Sequence, residues 1–259
     1  SHNSRERFHS LEAMGGALRR FNCARGHRVV AEDDPEEIER RRVAKDDAKA
    51  RYKKGMAFLH ASSLRFAERE LHAVHHLIDT LMEPYAKDPA MYDDEENDQE
   101  LRNVYQTTAA ELGYCKLLLA LPAEAISLFD MALRINNRQH VLGGKGPSVR
   151  SLAGDALVLL SRHRHAAFAY IDALELEEYA PLLWEKLARS LVREADRESH
   201  GLARGHQQRV ARYLAEALQA IDEASLTEQT ADRLALAGGI LMRQCKLIGG
   251  AGVEAQEIA

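Results

Sequence analysis

Three histidines fall within five consecutive positions: His72, His75 and His76, in the segment HAVHH. On a helix His72 and His76 share one face, and two histidines four apart can hold a transition metal. No glutamate between them completes an HExxH motif and no third ligand stands nearby. The pair is therefore read as polar residues on an outward helix face. His163 and His165 flank Arg164 and are read as a solvated turn. Cys23, Cys115 and Cys245 lie far apart and form no CxxC pair, so they define neither a disulfide framework nor a zinc site. Gly143, Gly144 and Gly146 surround Lys145, but the GxxxxGK[ST] spacing of a phosphate loop is absent and no strand precedes it. That run is read as a glycine-rich connector. No nucleophile elbow, Ser-His-Asp order or dinucleotide fingerprint occurs. Carboxylates abound, yet none is singled out by an apolar setting of the kind that shifts a pKa. These residues predict no enzyme, no metal site and no cofactor.

The elements that carry them are helices. Hydrophobic residues make up 46% of the 259 positions and charged residues 29%, with only 6 Pro and 16 Gly. Ala, Leu, Glu and Arg dominate, a composition that favours long helices. The formal charge of −5 is too small to single out nucleic acid or a membrane surface as partner. No apolar run approaches the ~20 residues of a membrane-spanning helix. Isolated thiols suit the cytoplasm or another reducing compartment. The chain begins at Ser1, so a removed targeting segment stays open.

Residues 1–34 form a basic N-terminal segment. Six arginines (Arg5, Arg7, Arg19, Arg20, Arg25, Arg28) stand against Glu6 and Glu12 within its first 30 residues. Phe8, Leu11, Met14, Leu18 and Phe21 recur at three- and four-residue steps, which predicts a helix capping the rest of the chain. Asp34-Pro35-Glu36-Glu37 is a helix start: Asp caps, Pro fits the first position, and the carboxylates favour the positive end of the dipole. Helices are predicted from Pro35 to Leu59 and, after Ser62 or Ser63, to Met82. Residues 83–98 read as a mobile acidic insert. Further helices are predicted for Gln99–Ala120, for Pro122–Ile135, and from Pro181 onward. Ser225-Leu-Thr-Glu228 matches a capping box opening a last helix. That helix should end at Gly249-Gly250, carry one polar face, and leave 249–259 as a flexible tail.

One spacing recurs within residues 35–248. Gly113, Ala125, Phe129 and Ala132 are separated by 12, 4 and 3 residues, and the same steps join Gly55, Ala67, Leu71 and Val74, and Gly154, Ala166, Tyr170 and Ala173. Ala173-Leu-Glu-Leu-Glu177 echoes the ending ALELDP, and Trp184-Glu-Lys-Leu187-Ala188 matches an opening WxxLG with Ala for Gly. These residues resemble the tetratricopeptide repeat, a helix-turn-helix unit of about 34 residues that stacks in arrays. Three units are recognisable and a degenerate fourth comes after them, with Gly201 and Gly205 interrupting it. Gly55 and Gly113 stand 58 residues apart, and the acidic insert accounts for the surplus.

The resemblance implies an all-α, right-handed superhelical solenoid of antiparallel helix pairs, and a scaffold or adaptor role in a multiprotein complex. The first helix of each pair would line a concave groove that takes a partner peptide or helix. The family's groove positions fall on Lys49, Tyr52, Met56, Leu59 and His60, on Thr107, Ala110, Tyr114, Leu117 and Leu118, and on Ser148, Ser151, Asp155, Val158 and Leu159. Tyr114, Leu117 and Leu118 make an apolar middle suited to hydrophobic anchors. Lys49 and Lys53 resemble the basic pair with which co-chaperones of this family grip an acidic C-terminus, although the equivalent slots downstream are Glu111 and Leu152. An RNA-associated subunit using the N-terminal arginines is the alternative reading. Neither a membrane nor a small-molecule substrate is expected.

Overall fold

The computed structural model describes residues 35–87, 95–135, 139–177, 180–200, 205–226 and 229–257. Nine helices occur among them: α1 Pro35–His60, α2 Leu64–Lys87, α3 Glu95–Leu118, α4 Pro122–Ile135, α5 Val149–Leu159, α6 His163–Leu174, α7 Pro181–Ser199, α8 His206–Ser225 and α9 Ala231–Glu257. The basic N-terminal segment and Gly201 lie outside the described residues.

Among the described residues each helix packs against the next in sequence, and the main contacts beyond that join helices two apart. That is an all-α solenoid, in which each unit buries its face against its neighbours. The core is accordingly split into clusters. One holds Ala109, Ala110, Ala125, Phe129 and Ala132 with Val149 and Leu152. A larger one runs from Ala166 and Tyr170 through Leu187, Leu191, Leu214 and Ile221 to Ile240.

The recurring spacing is explained by contact. An ideal Cβ built on Gly55 would lie 2.9 Å from Leu71 Cγ; on Gly113, 2.7 Å from Phe129 Cε1; on Gly154, 2.5 Å from Tyr170 Cε1. In each unit the first helix offers bare backbone to a large side chain of the second. Ala125, Ala132, Ala166 and Ala173 flank the rings and are fully buried. Small beside large lets two helix surfaces interlock at interior density.

Several boundaries differ from the sequence reading. α2 runs on to Lys87 and α3 already starts at Glu95, so helix takes up much of the acidic insert. His163 and His165 belong to the first turn of α6, not to a solvated turn. Ser225 does not open the last helix. It ends α8, where its hydroxyl donates to the Ile221 carbonyl at 2.7 Å, and Thr230 caps α9 instead, its Oγ1 accepting from the Arg233 N–H. A serine at a helix end can return its hydroxyl to a carbonyl one turn back instead of capping the helix that follows. α9 continues through Gly249-Gly250 to Glu257, so those glycines do not stop it. Its outward face is apolar where a polar one was expected, with Leu234, Leu241, Met242 and Ile248 exposed. The fourth unit departs from the template by growing longer: His163 follows Gly154 by 9 residues, whereas His206 follows Ala188 by 18. Part of the difference is extra helix at the end of α7.

Candidate functional site

The odd-numbered helices form one side of the stack. α1 touches α3, α3 touches α5, and α7 touches α9. α5 and α7 are joined through Lys186 Nζ, 2.8 Å from Asp155 Oδ2. These are the helices on which the sequence placed a groove.

Along α1, Lys53 is exposed, whereas Tyr52 and Met56 are half-buried. Tyr52 packs against a cluster of Ala48, Val74 and Ile78, and burial pushes its phenol pKa above the ordinary value, with nearby Glu111 adding to the shift. Met56 packs against Leu59, Ala67 and Cys115. Lys49 is half-buried and engaged by a neighbour. On α3, Tyr114 packs against the clusters on both sides, and Leu117 against one. Leu118 alone of that trio stands out, 47% exposed. On α5, Val158 packs into the larger core while Leu159 is 59% exposed. Asp155 is held at both oxygens: Tyr170 Oη donates to Oδ1 at 2.7 Å, and Lys186 binds the other oxygen. On α7, counting back from Ala188 as from the unit glycines, the first groove position is Leu182, which is exposed.

The glycine-rich connector is the feature that sequence reasoning missed. It folds back onto α3. His140 and Ser148 form a β-bridge, Val149 N–H donates to the Gln139 carbonyl at 2.9 Å, and Gly146 N–H to the Val141 carbonyl at 3.1 Å. Leu142, Gly143 and Gly144 turn the loop tip through positive φ of 56°, 67° and 82°. Val141 is fully buried, and Leu142 packs against the clusters on both sides of α3. Glu111 Oε1 accepts from the Leu142 N–H, and the Gly143 N–H also points to this carboxylate. Gln106 Nε2 donates to Gln139 Oε1 at the loop's base. Leu142 and Tyr114 thus pack against the same two clusters, and Tyr52 is close enough to Glu111 to feel its charge. The connector covers the stretch of α3 that carries Gln106 and Glu111.

Glu111 is fully buried, and desolvation raises its pKa to about 7 against the pull of the two backbone N–H groups. Its Oε2 and the hydroxyl of Thr108, one turn earlier, have no hydrogen-bond partner. This corrects the sequence reading, which singled out no carboxylate by an apolar setting: Glu111 stands in one, made by helix packing and the folded-back connector.

The histidines do not converge. His72 and His76 are exposed on α2, while His75 turns inward against the Tyr105 ring and within 3.2 Å of Met131 Sδ. Among the described residues no three His, Cys, Asp or Glu side chains are grouped to hold a metal, and no helix is long and apolar enough to cross a membrane.

No protein-family model and no curated protein matches the chain. Among solved structures it is similar to a crystal structure of MamA, at 13% identity over 78% of this chain and 96% of that one, with a TM-score of 0.39. It is also similar to the C-terminal part of a TPR repeat-containing protein from Cytophaga hutchinsonii, at 12% identity over 82% of this chain and 89% of that one, with a TM-score of 0.35. At TM-scores this low neither bears on what this chain binds.

Proposed function

We propose that this protein is a non-enzymatic interaction scaffold that holds a partner peptide or helix against its odd-numbered helices. The observation that carries this reading is the pair Leu118 and Leu159. They occupy equivalent positions at the ends of α3 and α5, in consecutive units, and both remain exposed where neighbouring apolar positions are packed away. Two exposed leucines one repeat apart suit a partner that presents apolar anchors at matching intervals. Exposed Lys53 on α1 and Lys145 at the loop tip give that surface a basic margin. The acidic-terminus clamp is not favoured: Glu111, in the slot where a second basic residue would stand, is buried and bonded to the connector.

The double variant Leu118→Glu, Leu159→Glu tests the reading. Both side chains are exposed, so helicity and unfolding midpoint should be retained while the protein captured by the unmodified chain is lost. Capture of the same protein at unchanged yield overturns the proposal.

A further inference from the structure

Among the described residues the most regular unpartnered surface is the outer face of α9. Its orientation is fixed from the inner side. Ile240 is fully buried in the α7–α8 core, Arg243 binds Asp196 of α7 at 2.7 and 3.0 Å, and Arg233 Nη1 donates to the Ala224 carbonyl at 3.0 Å. The opposite face carries Ala231, Leu234, Gly238, Leu241, Cys245 and Ile248. All six are exposed, with Leu234 at 57%, Leu241 at 48% and Ile248 at 74%. Their steps of 3, 4, 3, 4 and 3 residues are those of a helix-pairing seam about 25 Å long. No charged residue interrupts it.

Sizes alternate along this seam: small, large, small, large, small, large. When one such helix is turned end over end against another, seam positions pair as Ala231 with Ile248, Leu234 with Cys245, and Gly238 with Leu241 of the second copy. Every layer then sets a large side chain against a small one, the condition for close interlocking. Parallel helices in register would set small against small and large against large, leaving voids between crowded layers.

We propose that α9 is a homotypic docking face, through which two copies of this chain pair as antiparallel helices about a two-fold axis near residues 239–240. The contact is isologous and closes on itself, so it yields a dimer rather than a filament. It lies at the end of the stack and leaves Leu118 and Leu159 open in both copies.

Light scattering on the full chain during gel filtration, at high micromolar concentration, tests the proposal. The expected mass is twice the 29.0 kDa of one chain. Leu241→Glu should return it to 29.0 kDa with an unchanged circular dichroism spectrum. Gly238→Leu should do the same, because within one chain a Cβ there meets no atom within 4 Å. The direction of pairing is read by Leu234→Cys in a chain carrying Cys23→Ser. The new thiol sits beside Cys245 of the second copy only in the antiparallel arrangement, and within one helix the two positions are about 16 Å apart. Oxidation should give a covalent dimer with Leu234→Cys and none without it. A single-chain mass for the unmodified protein, a dimer that survives Leu241→Glu, or Cys245-to-Cys245 dimers without the substitution overturns the proposal.

Discussion

The ring of Phe129 occupies the space that a side chain at Gly113 would need: a Cβ there would stand 2.7 Å from Cε1 and 2.8 Å from Cδ1. Phe129 is fully buried between Ala125 and Ala132 and has nowhere to retreat. Gly113→Leu should therefore destabilise the chain by about 1–3 kcal/mol through overpacking. Gly239→Ala is the control, since its Cβ would meet nothing closer than the flexible end of Arg243 at 3.5 Å. That change should stabilise α9 by up to about 1 kcal/mol through helix propensity. Urea unfolding of the two variants checks the opposed signs.

Glu111 predicts a pH dependence. Its folded-state pKa of about 7 lies above the ordinary 4.5 because burial disfavours the charged form. A raised pKa means that its contribution to stability is complete below 4.5 and is lost as pH climbs to about 7. Glu111→Gln keeps an acceptor for the Leu142 N–H and removes the charge. The variant should match the parent near the acid end of that window and exceed it by about 3 kcal/mol above the window. Chemical unfolding of both proteins across the window checks this, because the difference between them cancels the other carboxylates.

The tip of the connector is held in a left-handed conformation that only glycine adopts freely. Gly144 has φ +82° and open space where a side chain would go, so Gly144→Ala isolates backbone strain from crowding. The expected cost is about 1–2 kcal/mol. Amide hydrogen exchange at Leu142 and Gly146 should quicken along with the drop in unfolding midpoint.

What was legible in the chain was whatever local rules enforce. A glycine 16 residues before a ring, with alanines on either side, is readable because the two helices cannot approach otherwise. The solenoid came from two such sets, at Gly113 and Gly154, and a third at Gly55 with Leu71 for the ring and Val74 for the second alanine. The connector was not legible, because its place depends on Glu111 accepting from Leu142 across 31 residues of chain, and no periodicity encodes that bond. The groove was legible in register but not in depth. Repeat position says that Tyr52, Met56, Tyr114 and Leu117 face one side; it does not say that each is half-buried against a core cluster. The α9 face was missed for a related reason: a polar outer face was expected there, and only the packing of Ile240 shows which side is inward.

Asp155 has a structural duty where a surface role was expected. It accepts from Tyr170 Oη at 2.7 Å, and burial raises the phenol pKa above its ordinary value, with the carboxylate adding to the shift. Asp155→Ala leaves that buried hydroxyl without its acceptor and separates Lys186 from α5. The expected loss is about 1–3 kcal/mol. Asp155→Asn retains an acceptor and should lose clearly less. Thermal unfolding of the two variants separates the missing hydrogen bond from the missing charge.

Tyr114 and Leu118 sit one helical turn apart on α3, yet substitution should affect them in different ways. Tyr114 packs against the clusters on both sides of α3, so Tyr114→Ala opens a cavity at the junction of two units. Its cost should be about 2–4 kcal/mol, toward the lower part of the range for aromatic truncation because the side chain is only half-buried. Leu118 is 47% exposed, and Leu118→Ala should change stability by no more than about 0.5 kcal/mol. A binding defect in Tyr114→Ala would thus mix loss of fold with loss of contact, whereas one in Leu118→Ala reports contact alone. Measuring unfolding midpoint and partner capture on the same preparations distinguishes the two: the midpoint should fall for Tyr114→Ala only, and capture at an unchanged midpoint should fall for Leu118→Ala.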